Sequence, residues 1–160
     1  MTSIRGLFGL RPTPSSIEQV AAPPYDVIKE GSALKRRLFE RADSIVHVTL
    51  GNDAPIALEG LRERGALIDD DEPAHYVVEQ RWQEQGESHR RLGVFTAVEV
   101  SDYDTHQVIR HEKTFDEKVK GRIALCEATE HVIGPVFLLT KAPIMALLER
   151  YASGDPLYNF

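Results

Sequence analysis

Cysteine is almost missing from these 160 residues: Cys126 stands alone, so the chain can form no internal disulfide and no cysteine-based zinc cluster. It falls among apolar helix positions, where a thiol packs as a small hydrophobe and lacks the electropositive setting of an activated nucleophile. No run of about 18 apolar residues occurs, which argues against a helical membrane span. The N-terminus does not have the pattern of a signal peptide. Positive charge is in deficit, with 19 Lys+Arg against 25 Asp+Glu. The net charge of −6 repels a phosphate backbone, so no nucleic-acid partner is expected. These absences predict a soluble, cytoplasmic protein.

Several catalytic signatures are missing as well. There is no G-x-S-x-G nucleophile elbow, no G-x-x-x-x-G-K-[ST] phosphate loop and no G-x-G-x-x-G dinucleotide fingerprint. The six histidines include no i, i+4 pair and no HExxH, so the spacing predicts no metal site.

What is present is enough to fill one core, since 42% of the residues are hydrophobic and 160 is an ordinary length for a single domain. Residues 4–10 read as a first strand, and the prolines of Ala22-Pro23-Pro24-Tyr25-Asp26-Val27 impose a stiff, non-helical loop. Residues 32–42 read as an amphipathic helix with Ser32 as N-cap, 44–50 as a β-branched strand, and 54–64 as a helix closed by Gly65. An acidic loop at 69–73 follows. Alternating residues over 74–82 and 91–100, around a turn containing Gly86, predict an antiparallel hairpin, with 107–110 as a third strand of a meander.

Thr114 or Asp116 is placed to cap a helix reaching about Ala128, whose stripe would be Phe115, Val119, Ile123 and Cys126. Residues 134–139 read as a strand buried on both faces, and 143–151 as a last helix. The expectation is a single α+β domain: a mixed, mainly antiparallel sheet with a central hairpin and helices packed on it.

The run His111-Glu112-Lys113-Thr114 joins an imidazole, a carboxylate, an ammonium and a hydroxyl at the predicted junction of strand and helix. A helix N-terminus favours anions, so Glu112 could serve as general base toward a hydroxyl while His111, Lys113 and Arg122 hold a phosphate or carboxylate. Four solvated residues in a surface turn are the alternative. Trp82 and Tyr76 suit a packed hairpin face better than a ligand-stacking platform.

Five short stretches, Gly6-Leu7 through Gly9-Leu10-Arg11-Pro12, Ala22 to Val27, His47-Val48-Thr49, His111 to Thr114 and Gly134-Pro135-Val136-Phe137, together resemble the family called domain of unknown function 1015 (DUF1015). Members of that family are usually more than twice this long and carry a later Asp-Gly-His-His-Arg-Tyr motif. That motif is similar to the phosphate-contacting box of the ParB-like superfamily, which includes free-serine kinases.

The resemblance implies the N-terminal portion of a nucleotide- or phosphate-dependent enzyme acting on a small metabolite, in the manner of serine phosphorylation or its reverse. It implies ATP or ADP with Mg as cofactor, Glu112 and Asp26 as catalytic carboxylates, and His111, Lys113, Thr114, Arg122, Tyr25 and Arg11 as substrate- or phosphate-binding residues. The Asp usual before the arginine is replaced here by Gly121, which removes a charge partner from Arg122. A non-catalytic binding or assembly domain is the competing expectation. The three bulky apolar residues among the last four suggest a cut end and a homo-oligomer.

Overall fold

The computed structural model describes residues 2–109 and 114–159. In chain order its elements are β1 (Ile4–Arg5), β2 (Leu10–Pro12), α1 (Ile17–Val20), α2 (Ala33–Glu40), α3 (Val46–Thr49), α4 (Ala54–Glu63), β3 (Leu67–Asp69), β4 (Tyr76–Glu84), β5 (Glu87–Phe95), β6 (Ala97–Val98), α5 (Asp116–Thr129) and α6 (Met145–Ala152). Single 3-10 turns lie at Tyr25–Val27 and Tyr103–Thr105. All strand pairs are antiparallel, and the class is α+β. The elements fall into two compact units, a helical one of residues 10–69 with 114–134 and a hairpin one of 2–9, 70–109 and 135–159.

In the helical unit α2 is capped at Ser32, where the sequence places the cap, and α4 at Asp53, which the sequence did not single out. The Ser32 side chain accepts from the Lys35 amide at 3.1 Å, and Asp53 does the same for Ile56 at 3.2 Å. Gly65 closes the α4 end at φ +67°, a conformation that costs little only without a Cβ. From α4, Leu58 and the fully buried Leu61 pack with Val20, Val48, Ala66 and Leu67. Burying Leu61 contributes about 1.5–3 kcal/mol. A second cluster gathers Ile28, Leu38 and Val46. β3 pairs with β2 at Leu10–Asp69, a strand too short to announce itself by alternation.

The strand expected at 44–50 is a helical turn instead. Val46 and Val48 are buried in different clusters, 0% and 1% exposed. Residues two apart point about 200° apart on a helix and 180° apart on a strand, so three or four residues cannot tell the two periods apart. The backbone bond from Leu50 N–H to Val46 C=O, at 2.8 Å, satisfies those groups locally. Likewise the proline-stiffened loop ends in a 3-10 turn at Tyr25–Val27 rather than remaining non-helical.

The hairpin is the clearest agreement between sequence and structure. Its ladder runs from Tyr76–Phe95 to Glu84–Glu87, and the two-residue turn has Gln85 at φ 51° and Gly86 at φ 85°, as a type I′ turn requires. α6 packs on both strands through the buried Leu148, and Arg90 bridges Glu149 at 2.7 Å. Tyr76 and Trp82 do share one face, but Trp82 is stacked on His89 and remains partly exposed.

Other expectations fail in this unit. Residues 4–10 do not make one strand: β1 pairs with β6, and beyond it Leu7 bridges Ala74. Gln107 to Ile109 form no strand, so the third meander strand is lost, Arg110 lying outside the described residues. Residues 134–139 form no strand either, and Val136 and Leu139 are each 81% exposed. An apolar run marks a buried strand only when partners exist on both sides, and among the described residues none pairs with it. No helix among the described residues is long and apolar enough to cross a membrane.

Candidate functional site

α5 begins at Asp116 with Phe115 as N-cap and no side-chain cap bond, so neither Thr114 nor Asp116 caps it. Its buried side is also not the expected one. Of the expected stripe Phe115, Val119 and Ile123 are exposed and only Cys126 is half-buried, whereas Arg122 and Leu125 are half-buried and Thr129 is buried. Apolar residues are spread around this helix, so the sequence offers two candidate stripes and packing selects between them.

The selected face carries Lys118, Gly121, Arg122 and Leu125, at the i, i+3, i+4, i+7 spacing of one helical side. These residues form one wall of a hollow of about 410 Å³. Tyr25 from the 3-10 turn, Thr49 at the end of α3, the Gly51-Asn52 turn, and Ala54 and Pro55 at the start of α4 complete it. Gly51 is required by its surroundings: a Cβ there would lie 2.9 Å from the His47 carbonyl carbon and closer still to its oxygen.

The Arg122 guanidinium lies 3.8 Å from the centroid of the Tyr25 ring. Stacked this way, the cation is oriented by the aromatic face while the rim of its planar fork can still donate hydrogen bonds. Ion pairs among the described residues engage Lys35, Arg62, Arg64, Arg81 and Arg90, and not Arg122 or Lys118. No carboxylate lines the hollow among the described residues. Two cations, an amide and a hydroxyl therefore line a concave site on a chain of net charge −6. Such a lining suits an anion and does not suit a bare divalent cation.

Of the residues singled out in the sequence, the structure brings Tyr25 and Arg122 together. Asp26 is exposed beside Tyr25 and does not line the hollow. Arg11 is half-buried on β2 opposite Ile68, and Thr114 is exposed ahead of α5. His111, Glu112 and Lys113 lie outside the described residues. Lys118, Asn52 and Thr49 were missed by the sequence reading. The sequence signal for Lys118 is its i, i+4 spacing from Arg122, which competes with the apolar residues spread around the same helix.

His131 occupies a separate cluster in the helical unit. Its Nδ1 donates to the Thr129 carbonyl at 2.5 Å, and its Nε2 lies 3.3 Å from an Arg62 nitrogen that also binds Asp69 at 2.8 Å. With Nδ1 carrying the proton, Nε2 accepts from Arg62 and the three side chains tie α4, β3 and the turn after α5. Among the described residues no group of three His, Cys, Asp or Glu is arranged to hold a metal ion.

Compared with known proteins, residues 4–160 match the model of the family described as protein of unknown function (DUF1015). No curated protein and no solved structure matches.

Proposed function

The chain belongs to the DUF1015 family, and on that premise we propose that it forms the anion-binding part of a phosphate-dependent enzyme acting on a small phosphorylated metabolite. The observation that carries this reading is the hollow lined by Lys118 and the Tyr25-stacked Arg122 and, among the described residues, by no carboxylate. At about 410 Å³ it lies in the lower range for small-molecule sites, enough for a phosphate monoester of a few carbons. Lys118 and Arg122 neutralise the phosphate oxygens and Asn52 and Thr49 supply polar contacts; in the phosphorylating direction Glu112 takes the proton of the acceptor hydroxyl, and in the reverse direction it returns that proton. ATP or ADP with Mg, where bound, supplies or accepts the phosphoryl group.

Thermal melts with phosphoserine, serine, ADP, ATP and inorganic phosphate test the binding half. The phosphate-bearing ligands raise the melting temperature and serine alone does not; a ligand at ~100 times its dissociation constant adds about 2.7 kcal/mol. Absence of a shift with every phosphate-bearing ligand refutes the reading. For the chemistry, Glu112→Gln in a longer family member keeps binding and abolishes turnover, and unchanged turnover removes Glu112 from the mechanism.

A second reading, a non-catalytic metabolite-binding domain, draws on the same observation, because no carboxylate among the described residues lines the hollow to act as a general base. Saturable phosphate binding with no turnover in any longer family member would favour it.

A further inference from the structure

We infer that the outer edge of β4 is a self-association surface, on which a second copy of this chain adds its own β4 antiparallel about a two-fold axis at Gln80. β4 and β5 make a two-stranded sheet, so among the described residues each has one edge without a strand. The two-residue turn makes Glu84–Glu87 a hydrogen-bonded pair, and alternation from there points the backbone groups of Gln80 and Trp82 at β5. It points those of Val77, Glu79, Arg81 and Gln83 outward. Among the described residues no backbone group outside the hairpin bonds to these four. Gln80 to Glu84 are exposed, and a row of unpaired N–H and C=O groups on a nine-residue strand is a template for another strand.

Charge selects both the occupant and the register. An antiparallel two-fold centred on Glu79 would oppose two carboxylates, and one centred on Arg81 would oppose two guanidinium groups. Centred on Gln80, it sets Glu79 against Arg81 twice, Val78 against Trp82 twice, and the Gln80 amide against its copy. Glu79 is already an ionised acceptor, since hydrogen bonds from Arg90 and then Arg81 hold its carboxyl below the ordinary range.

Trp82, 41% exposed, would be covered by the partner valine. On the edge of β5, a two-fold centred on Arg90 or Arg91, in the middle of the strand, would oppose two guanidinium groups. With the axis perpendicular to the sheet, both copies of α6 lie on one face and both Trp82 on the other, so neither obstructs the pairing. The resulting four-stranded sheet gains about eight backbone hydrogen bonds.

Sedimentation equilibrium of the full chain over a range of concentrations tests the inference, with thermal melts confirming that each variant is folded. A monomer–dimer equilibrium is expected. Arg81→Glu raises the dissociation constant roughly 10- to 100-fold, and Glu79→Arg combined with Arg81→Glu restores dimerisation. Gln83→Pro weakens the dimer without changing charge, since it removes an outward N–H while leaving the β4–β5 ladder intact. Gln80→Cys in a Cys126→Ser background oxidises to a covalent dimer, because facing residues at a non-hydrogen-bonded pair lie about 4.5 Å apart at Cα. A chain that stays monomeric at every concentration overturns the proposal, as does a dimer indifferent to Arg81→Glu or one that the charge swap fails to restore.

Discussion

Replacing Arg122 by alanine separates a binding role from a structural one. The guanidinium is half-buried and 3.8 Å from the Tyr25 ring centroid, so its stacking contributes about 0.5–1 kcal/mol to stability. A charge-assisted hydrogen bond to a phosphate oxygen contributes more, about 1.5–3 kcal/mol. Arg122→Ala should therefore weaken phosphoserine binding roughly 10- to 150-fold while lowering stability by no more than about 1 kcal/mol. Binding is not abolished, because Lys118 still faces the same hollow.

Arg122→Lys keeps the charge but loses the planar fork, and should fall between wild type and alanine. Tyr25→Leu leaves the charge and removes only its orientation, so the loss is smaller, about 2- to 5-fold, equivalent to 0.5–1 kcal/mol. Titration calorimetry at two ionic strengths gives the affinities, and urea unfolding gives the stability. A folded Arg122→Ala protein that binds within twofold of wild type refutes the assignment of the hollow as an anion site.

Two further outcomes test the frame around the sites. A Cβ on Gly9 would lie 2.6 Å from an Asp70 carboxylate oxygen and 2.9 Å from the Tyr76 ring, so Gly9→Ala should cost about 1–3 kcal/mol in urea unfolding. Wild-type stability in that variant would show that the neighbours yield freely. The Ser3 hydroxyl and amide donate to Glu99 at 2.7 and 3.2 Å and hold its carboxyl below the ordinary range. A carboxyl depressed in the folded state stabilises at neutral pH and loses that contribution as pH falls through its folded value. Ser3→Ala should thus show a smaller acid loss than wild type in melts taken across the carboxylate range, and an identical pH profile would count against the Ser3–Glu99 link.

Much of the scaffold was legible because its signals are local. Ser32 announces α2 through a short-range bond to the amide three residues on, Gly65 marks the end of α4, and Gly86 with alternating flanks announces the hairpin. Tyr25 and Arg122 were also visible, as members of motifs carried by family resemblance. Their meeting was not visible, since nothing in the chain from 25 to 122 states that a 3-10 turn and the middle of α5 converge. Lys118 escaped for a related reason: on a helix with apolar residues all round, periodicity does not say which face is covered.

By itself the sequence determined the α+β class, the Ser32-capped helix, the hairpin and its turn, and the charge balance, because each follows from interactions spanning a few residues or from composition alone. Only the tertiary structure decided that Val46 and Val48 belong to a helical turn and that Val136 to Leu139 are left exposed. It alone also put Arg122 against Tyr25 beside Lys118. Those outcomes depend on which surfaces, distant in sequence, are present to be packed against, and burial by a remote partner is a property of the folded chain rather than of any stretch of it.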